Sequence, residues 1–489
     1  MKYFSTRNDR ETYTGAEAIA MGLAPGGGLF VPERIPRVID AGALTRFCTM
    51  SYRELAVELM KLYLDEFSAE ELAKFAAAAY ADNFDDPAIA PTRLLDGNTA
   101  FLELWHGPTC AFKDMALQML PHLLTASLQK TGESRRVCIL VATSGDTGKA
   151  ALEGFKDVAG TKIFVFYPDG GVSKIQRLQM VTQAGGNVGV CAVKGNFDDA
   201  QTGVKTIFGD ADFAGTLSRR GWFLSSANSI NWGRLLPQIV YYVYAYCNLI
   251  NANKIQPGQE IVFCVPTGNF GNILAGWFAR EMGLPVKRFV CASNANNVLT
   301  DFISTGIYDK NRPFHTTISP SMDILVSSNL ERLLYELAGA EETGDCMSKL
   351  AADGKYAVSA ATRGKIQDTF SAGFCGDEET KAVIADVFRE KGYLMDTHTA
   401  VAYKVLRDYR EREGDDTPAV VVSTASPFKF AADVLAALGE EAGGDPLGQL
   451  SEKTGVPVPA PLSGLEGREV RFTQSVEKQE MLASVDAFI

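Results

Sequence analysis

The chain has 489 residues, of which 46% are apolar and 22% are charged, and its formal net charge is −12. This composition is typical of a globular protein that is long enough for two or three domains. An acidic chain without clustered Lys and Arg is a poor general binder of nucleic acid, so the expected partner is a small molecule. No obligate protein partner is evident from the sequence.

The N-terminal residues form no apolar signal region, and the chain contains no run of about 18 apolar residues, which argues against secretion and membrane spanning. The nine cysteines form no C-x-x-C pair, and several lie in apolar runs, as Cys138 and Cys264 do. Buried, reduced thiols of this kind are typical of a cytoplasmic protein.

The first part of the chain is turn-rich around residues 26–32 and then shows apolar residues at helical spacing over residues 54–81. This pattern predicts a mainly helical N-terminal domain over residues 1–95. A helix is expected from Asp114, and Pro121 should kink it or break it in two.

Six short apolar runs separated by helical patterns follow along the chain. Strand and helix alternation with crossovers of this length predicts parallel α/β sheets. The predicted strands are Val137–Ala142, Lys162–Tyr167, Val188–Val193, Glu260–Pro266, Lys287–Ala292 and Ala419–Ser423. The predicted fold class is α/β with two parallel-sheet domains: a large one over residues 96–130 and 220–489, with a helical insertion near 310–395, and a smaller one over 131–219.

Three of the predicted strands end in polar or glycine-containing loops, at residues 143–148, 267–272 and 423–427. Ligands bind at the carboxyl ends of parallel strands, so these loops are expected to converge on one site. The loop 267–272 has the features of a phosphate cradle, because glycines admit close approach and N–H groups at a helix start face an anion. Taken alone, an ordinary strand-to-helix turn explains this loop better.

Lys113 lies in a short segment of apolar and small residues, next to Phe112 and close to Met115. Desolvation disfavours the ammonium form and frees an amine that can attack a carbonyl carbon. A lysine that runs its stem over an apolar surface and keeps its charge in water has the same neighbours. The segment alone does not separate these two interpretations.

A fourth polar cluster, at residues 225–234, precedes a predicted apolar helix over 235–250. Its hydroxyls, amides and Arg234 would suit a second anion, with the guanidinium making a bidentate contact. In the alternative interpretation Asn228 or Asn231 caps the helix and Arg234 is solvated. The sequence favours neither.

Other enzyme classes are poorly supported. The loop 143–148 fails the P-loop pattern, since Thr143 stands in place of its first glycine and Ala150 in place of its Ser or Thr. The histidines lack the spacing of metal ligands, and the chain has no G-x-S-x-G motif. No metal is therefore expected. His398 is expected to be structural, whereas His106, close to Lys113 in sequence, remains a possible neighbour of the site.

Together these motifs resemble those of the fold-type II pyridoxal-phosphate enzymes, the tryptophan synthase β family, and within it the threonine synthases of bacterial and fungal type. The resemblance covers most of the chain. It rests on ordered motifs at residues 3–7, 27–32, 106–114, 143–148, 228–234, 267–272, 319–324 and 423–430.

The resemblance implies a role for each matching residue. Lys113 would form the Schiff base with pyridoxal phosphate and then act as the mobile base. The remaining cofactor-binding residues would be Gly268, Asn269, Phe270, Gly271 and Asn272 at the phosphate and Thr424 at the pyridine nitrogen. The substrate-binding residues would be Ser144, Gly145, Asp146 and Thr147 at the carboxylate and Asn228, Ser229 and Arg234, with Thr147 and Asn269, at the substrate phosphate.

The implied reaction converts O-phospho-L-homoserine and water to L-threonine and phosphate, the last step of threonine biosynthesis. Two alternatives stay open: another fold-type II enzyme, such as a dehydratase or a phospho-lyase that forms 2-oxobutyrate, and a ligand-binding protein without catalysis. The intact Lys113 argues against the last.

Two positions within the resemblance raise questions of charge. The neutral hydroxyl of Thr424 would leave the pyridine nitrogen largely unprotonated. Asp146 stands where many fold-type II enzymes have an asparagine that faces the phenolic oxygen of the cofactor, and two anions in contact are costly. Either Asp146 turns away from that oxygen or a proton is shared there.

Overall fold

The computed structural model describes all 489 residues. Its N-terminal region carries the predicted helices together with a small antiparallel sheet of order β2-β1-β3 that the sequence analysis did not predict. The elements of this region are β1 (Tyr3–Ser5), β2 (Asn8–Tyr13), α1 (Gly15–Met21), β3 (Phe30–Pro32), α2 (Ala41–Phe47), α3 (Tyr52–Met60) and α4 (Ala69–Ala79). Helices α1, α3 and α4 begin at capping boxes, with Thr14, Ser51 and Ser68 as the N-caps.

A six-stranded sheet forms the centre of the larger α/β unit, in the order β14-β11-β10-β15-β5-β4. Its strands are β4 (Thr92–Leu94), β5 (Thr99–Glu103), β10 (Ile261–Pro266), β11 (Val286–Ser293), β14 (Phe370–Phe374) and β15 (Ala419–Ser423). All neighbours are parallel except the edge pair β4 and β5. Three predicted strands are present here, whereas β4, β5 and β14 were not predicted.

A five-stranded parallel sheet of order β16-β8-β7-β6-β9 forms the smaller unit. Its strands are β6 (Arg136–Ala142), β7 (Thr161–Pro168), β8 (Val188–Val193), β9 (Trp222–Ser225) and β16 (Ser475–Val476). The sequence division assigned β9 and β16 to the large unit, and the structure corrects this assignment because both pair with the smaller sheet. The domain division otherwise stays a proposal.

The segment that follows Lys113 is broken, as Pro121 predicted, into α5 (Asp114–Leu117) and α6 (Leu120–Lys130). Residues 310–395 are largely helical and irregular, as expected. The remaining helices are α7 (Asp146–Phe155), α8 (Lys174–Val181), α9 (Phe197–Gly209), α10 (Ala211–Arg219), α11 (Trp232–Asn251), α12 (Gly271–Glu281), α13 (Val298–Thr305), α14 (Leu330–Asp353), α15 (Ala360–Thr369), α16 (Asp377–Lys391), α17 (Thr397–Glu413), α18 (Ala431–Ala437), α19 (Pro446–Thr454) and α20 (Met481–Phe488), and a two-stranded ribbon joins β12 (Ile307–Asp309) to β13 (Lys355–Ala357).

The largest apolar cluster contains 94 buried residues and extends from the N-terminal helices through α11 into both sheets. The buried strands are rich in Val, Ile and Phe, as expected for parallel sheets that are covered on both faces. The carboxyl ends of β6, β10 and β15 lead into the three loops that the sequence analysis singled out. None of the helices combines the length and the hydrophobicity that a membrane crossing requires.

Candidate active site

The segment that carries Lys113 is joined to the loop after β15 by backbone hydrogen bonds. The Phe112 N–H donates to the Thr424 carbonyl at 2.8 Å, and the Ser426 N–H donates to the Cys110 carbonyl at 3.0 Å. Cys110 adopts a left-handed φ of 59°, which turns the chain into this contact. Lys113 and Thr424 are therefore held side by side by backbone hydrogen bonds.

Asp114 closes the same segment from its other end. Its carboxylate accepts hydrogen bonds from the Thr109 N–H at 2.8 Å and the Thr109 hydroxyl at 2.7 Å. A Cβ on Gly107 would lie 2.6 Å from Asp114 Oδ2, so this turn requires a glycine. The carboxylate thus folds back onto the segment and fixes the backbone on which Lys113 stands.

The side chain of Lys113 is 11% exposed, and its Nζ lies 3.9 Å from Asp146 Oδ2. Burial lowers the pKa of the Lys113 ammonium to about 8, because the attraction of Asp146 only partly offsets desolvation and the repulsion of Arg234 and Lys429. The free amine is therefore a minor form of Lys113 at neutral pH, but a much larger fraction than for a lysine in water. This finding confirms the desolvated-lysine interpretation.

The loop after β10 forms a backbone cradle at the start of α12. Ser327 Oγ donates to the Gly268 carbonyl at 2.7 Å, and the Asn329 N–H donates to the Asn269 carbonyl at 3.1 Å. A Cβ on Gly268 would come within 2.6 Å of the Ser321 carbonyl oxygen. Phe270 has a left-handed φ of 61°. Because its carbonyls accept these hydrogen bonds, the loop has a fixed conformation, and its N–H groups at the helix start are available to bind an anion.

Asn272 is oriented by two tyrosines. Its Oδ1 accepts hydrogen bonds from the Tyr241 hydroxyl at 2.6 Å and from the Tyr242 hydroxyl at 2.7 Å. Its Nδ2 is buried and has no partner in the chain. A buried, pre-oriented donor without a partner is a ready contact for an acceptor group of a ligand.

Arg234 is buried, with 3% of its surface exposed, and it has no carboxylate partner. One nitrogen, Nη1, donates to the Ala227 carbonyl at 2.8 Å, and the buried Nε has no partner. Burial lowers the pKa of Arg234 to about 10, so the guanidinium stays charged at neutral pH. Asn231 caps α11: its Oδ1 accepts a hydrogen bond from the Gly233 N–H at 2.8 Å. The helix cap of the alternative interpretation is therefore present, but the prediction that Arg234 is solvated is wrong.

The loop after β6 divides its residues between two faces. Thr143 Oγ1 accepts from the N–H groups of Gly145 and Gly148, which closes the turn. Ser144 and Thr147 line the cavity that contains Lys113, whereas Gly145 and Asp146 do not.

Asp146 is held away from the open space of that cavity by other side chains. Its Oδ1 lies 2.7 Å from Lys429 Nζ and accepts a hydrogen bond from Gln176 at 2.9 Å. Burial opposes ionisation, but Lys429, Lys113 and Gln176 hold the pKa of Asp146 well below its usual range. The carboxylate is therefore ionised and paired, which removes support from a proton shared at this position.

One cavity of about 820 Å³ brings together most of the predicted site residues. The predicted residues that line it are Lys113, Ser144, Thr147, Asn228, Ser229, Arg234, Gly268, Asn269, Phe270, Gly271, Asn272 and Thr424. Its volume is within the range of small-molecule and cofactor sites. The arrangement offers one amine and two separate groups of anion-binding donors.

The sequence matches three family models: "Threonine synthase N terminus" over residues 2–80, "Pyridoxal-phosphate dependent enzyme" over 86–425 and "Threonine synthase, C-terminal" over 399–489. It is 40% identical to the threonine synthase of Pseudomonas aeruginosa, across 100% of this chain and 98% of that protein. The chain belongs to the threonine synthase family. Membership confirms the resemblance seen in the motifs and makes the chain a member of the pyridoxal-phosphate-dependent enzymes.

Two further comparisons bear on the extent of the match. Human threonine synthase-like 1 is 42% identical over 86% of this chain, but the chain spans only 58% of the length of that relative. The crystal structure of the PLP-bound threonine synthase from Brucella melitensis aligns with a TM-score of 0.88 at 37% identity, over 100% of this chain and 99% of that one. The fold class predicted from the sequence is thereby confirmed.

The residues of the cavity fit pyridoxal phosphate. Lys113 supplies an amine of lowered pKa, the cradle at Gly268 has no space for a side chain, and the Thr424 side chain lies within the same cavity. Since the Lys113 segment and the Thr424 loop share backbone hydrogen bonds, they would contact a bound cofactor as one fixed unit.

Several residues around this cavity were not predicted from the sequence. Lys429 is fully buried beside Asp146, and Ser321 Oγ donates to Asp146 Oδ2 at 3.2 Å. His398 lines the cavity, where its Nε2 accepts from the Ser321 N–H at 3.1 Å and its Nδ1 lies 2.8 Å from Asp396 Oδ2. The signal for Lys429 was a charged residue between Phe428 and Phe430, directly after a strand-end loop.

His106 lies outside this cavity. It lines a second one of about 360 Å³, on the other face of the Lys113 segment. Its Nδ1 is 2.5 Å from Asp85 Oδ1 and its Nε2 is 3.0 Å from Glu103 Oε2. The structure therefore does not place His106 next to the groups that surround Lys113.

Proposed function

We propose that this protein is a threonine synthase that converts O-phospho-L-homoserine and water to L-threonine and phosphate. The proposal rests on one observation: a buried amine, Lys113, and a buried guanidinium without a carboxylate partner, Arg234, line the same cavity. A substrate with an amino-acid end and a phosphate end matches that pair. Family membership supports the choice of reaction.

Pyridoxal phosphate, when bound, withdraws electrons from the substrate and stabilises negative charge on its carbon atoms. Lys113 would hold it covalently, the backbone of Gly268–Asn272 would hold its phosphate, and Thr424 would contact its pyridine nitrogen. Asn272 adds a fixed amide donor at the same end, because its two tyrosine partners prevent the amide from turning.

Lys113 would take and return the protons at the reacting carbons through its Nζ. A base works best when its pKa lies near the working pH, and burial places the pKa of Lys113 at about 8. The ionised Asp146 at 3.9 Å stabilises the protonated form after each transfer. Proton uptake and release at one nitrogen are thus both accessible.

Arg234 would bind the substrate phosphate and stabilise the added charge as the phosphate leaves. A guanidinium in a site shielded from water acts more strongly on a dianion than one in solvent. Asn228 and Ser229 precede the same helix, and Ser144 and Thr147 face the cavity from the smaller sheet, where they would receive the substrate carboxylate. We also propose a cytoplasmic location, which the nine free thiols fit.

The test is turnover of O-phospho-L-homoserine by the purified, cofactor-loaded protein, with threonine, phosphate and 2-oxobutyrate quantified. Lys113→Ala should abolish turnover and the absorbance near ~400–430 nm that a lysine-bound pyridoxal gives. Lys453→Ala, which removes an exposed lysine paired with Glu440, is the matched control and should retain both.

Phosphate release with 2-oxobutyrate and no threonine would instead identify a phospho-lyase. Absence of turnover together with absence of the absorbance band would favour a ligand-binding protein without catalysis.

A further inference from the structure

Lys429 is a fully buried lysine that touches both halves of the site. Its Nζ lies 2.7 Å from Asp146 Oδ1 and donates to the Thr109 carbonyl at 2.9 Å. Asp146 begins the first helix after β6, in the smaller sheet, whereas Thr109 lies in the segment that leads to Lys113. A buried ammonium is costly unless it is paired and hydrogen-bonded, and Lys429 is both.

The Asp146 carboxylate presents one oxygen to each of two lysines. Oδ1 faces Lys429, and Oδ2 lies 3.9 Å from Lys113 Nζ. Gln176 donates to Oδ1 and Ser321 to Oδ2, so the carboxylate is fixed on both sides. Lys429 is therefore linked to Lys113 by a single rigid group.

We propose that Lys429 is a positioning residue: its buried ammonium neutralises the Asp146 carboxylate beside Lys113 and, through the Thr109 carbonyl, fixes the segment that carries Lys113. The proposal rests on the proposed function, because it concerns the lysine that would hold the cofactor. It also accounts for a buried, ionised aspartate at this position, since Lys429 shares the charge of its carboxylate.

The charges around Lys113 predict opposite effects for the two members of the pair. Asp146 favours the protonated Lys113, whereas Lys429 and Arg234 disfavour it, and Asp114 adds a weaker attraction. Asp114, Cys110 and Lys149 are the other titratable groups that act with Lys429 in this region. Removal of Lys429 leaves the attraction of Asp146 unbalanced and should raise the proton affinity of Lys113. Removal of Asp146 leaves the repulsion of Lys429 unbalanced and should lower that affinity.

The experiment titrates the absorbance of pyridoxal bound to Lys113 in the holoenzyme, for the wild type, Lys429→Met, Asp146→Asn and the double variant. Lys429→Met should raise the pH midpoint by about one unit or more, a tenfold change in proton affinity, and Asp146→Asn should lower it by about as much. In the double variant the two shifts should largely cancel.

Damage to packing alone would not give shifts of opposite sign that cancel. Unchanged midpoints in both single variants, or shifts of the same sign, would overturn the proposal. If Lys429→Met does not fold, the signs of the shifts in Asp146→Asn and the double variant still decide it, since the double variant should lie above Asp146→Asn. A wild type without lysine-bound absorbance would refute the proposed function itself, which is a separate outcome.

Discussion

The two faces of the segment 106–113 differ in how their charges are satisfied. On one face Lys113 and Arg234 line a cavity of about 820 Å³, and Arg234 Nε and Asn272 Nδ2 have no partner in the chain. On the other face the cavity is about 360 Å³, and its buried histidine and lysine are both paired, His106 with Asp85 and Glu103 and Lys149 with Glu153.

This difference distinguishes residues that stabilise the fold from residues that are available to a ligand, within one short segment. Buried polar groups are nearly always hydrogen-bonded, so unpaired donors on residues that line a cavity indicate contacts kept for a ligand. Paired groups stabilise the fold and have no capacity left for a substrate. Lys113 and His106, although close in sequence, therefore have different roles: one is proposed to act on substrate, and the other to hold the segment in place.

The largest effect is expected at the unpaired face, for Arg234→Gln. Loss of the guanidinium should lower kcat/KM for the phosphorylated substrate by about 10²–10³-fold, because a preorganised charge at the leaving phosphate is lost. The free energy of unfolding should stay the same or rise, since a buried charge without a carboxylate partner is removed. Steady-state kinetics and denaturant unfolding measure the two effects.

Arg332→Gln is the matched control for that prediction. Arg332 is also buried, but its guanidinium donates to the carbonyls of Phe30 and Ile230 and to Asn329 Oδ1. Its substitution should lower stability by about 1–3 kcal/mol through the unpaired acceptors that remain. A stability loss in Arg234→Gln equal to that in Arg332→Gln would contradict the assignment of Arg234 to the substrate.

A smaller effect is expected for Gly268→Ala in the proposed phosphate cradle. The new Cβ would lie 2.6 Å from the Ser321 carbonyl oxygen, so the loop must shift. Cofactor affinity, measured by absorbance titration, should fall by about 10–100-fold, equivalent to about 1.4–2.8 kcal/mol. Gly364→Ala is the control, because Gly364 lies in α15, away from the cavity, and an added Cβ would meet nothing within 4 Å. Equal losses in both variants would argue that the cradle does not bind the phosphate.

Much of the sheet structure could be predicted because its strands are continuous apolar runs. Val188–Val193 and Ala419–Ser423 are present with the predicted bounds, as expected for strands buried on both faces. Thr99–Glu103 and Phe370–Phe374 were missed, since they are short and carry polar residues or glycine. Ser475–Val476 has only two residues, and its pairing with the smaller sheet depends on a contact far along the chain.

The site could be predicted where its chemistry lies in local motifs. Lys113, the loop 267–272 and Thr424 were ambiguous one by one and became recognisable as ordered motifs of a family, and the structure brings them to one cavity. Lys429 and Ser321 were not predictable in this way, because their role depends on Asp146, which is distant in sequence. His106 was ambiguous for the opposite reason: proximity in sequence does not determine the face of a segment on which a side chain lies.

The smallest effect on activity is expected on the paired face, for His106→Gln, and here the change should appear in stability. Burial opposes the charge on His106, but hydrogen bonds to Asp85 and Glu103 raise its pKa to about 9. Because the folded-state pKa is higher than that of the unfolded chain, about 6.5, this stabilisation is complete below pH about 6.5 and is lost as the pH rises towards about 9. The wild type should lose about 1–3 kcal/mol over that range. In His106→Gln this part of the pH dependence of unfolding should disappear, while turnover at neutral pH is retained. A large fall in turnover with unchanged stability would instead place His106 in the chemistry and remove the distinction between the two faces.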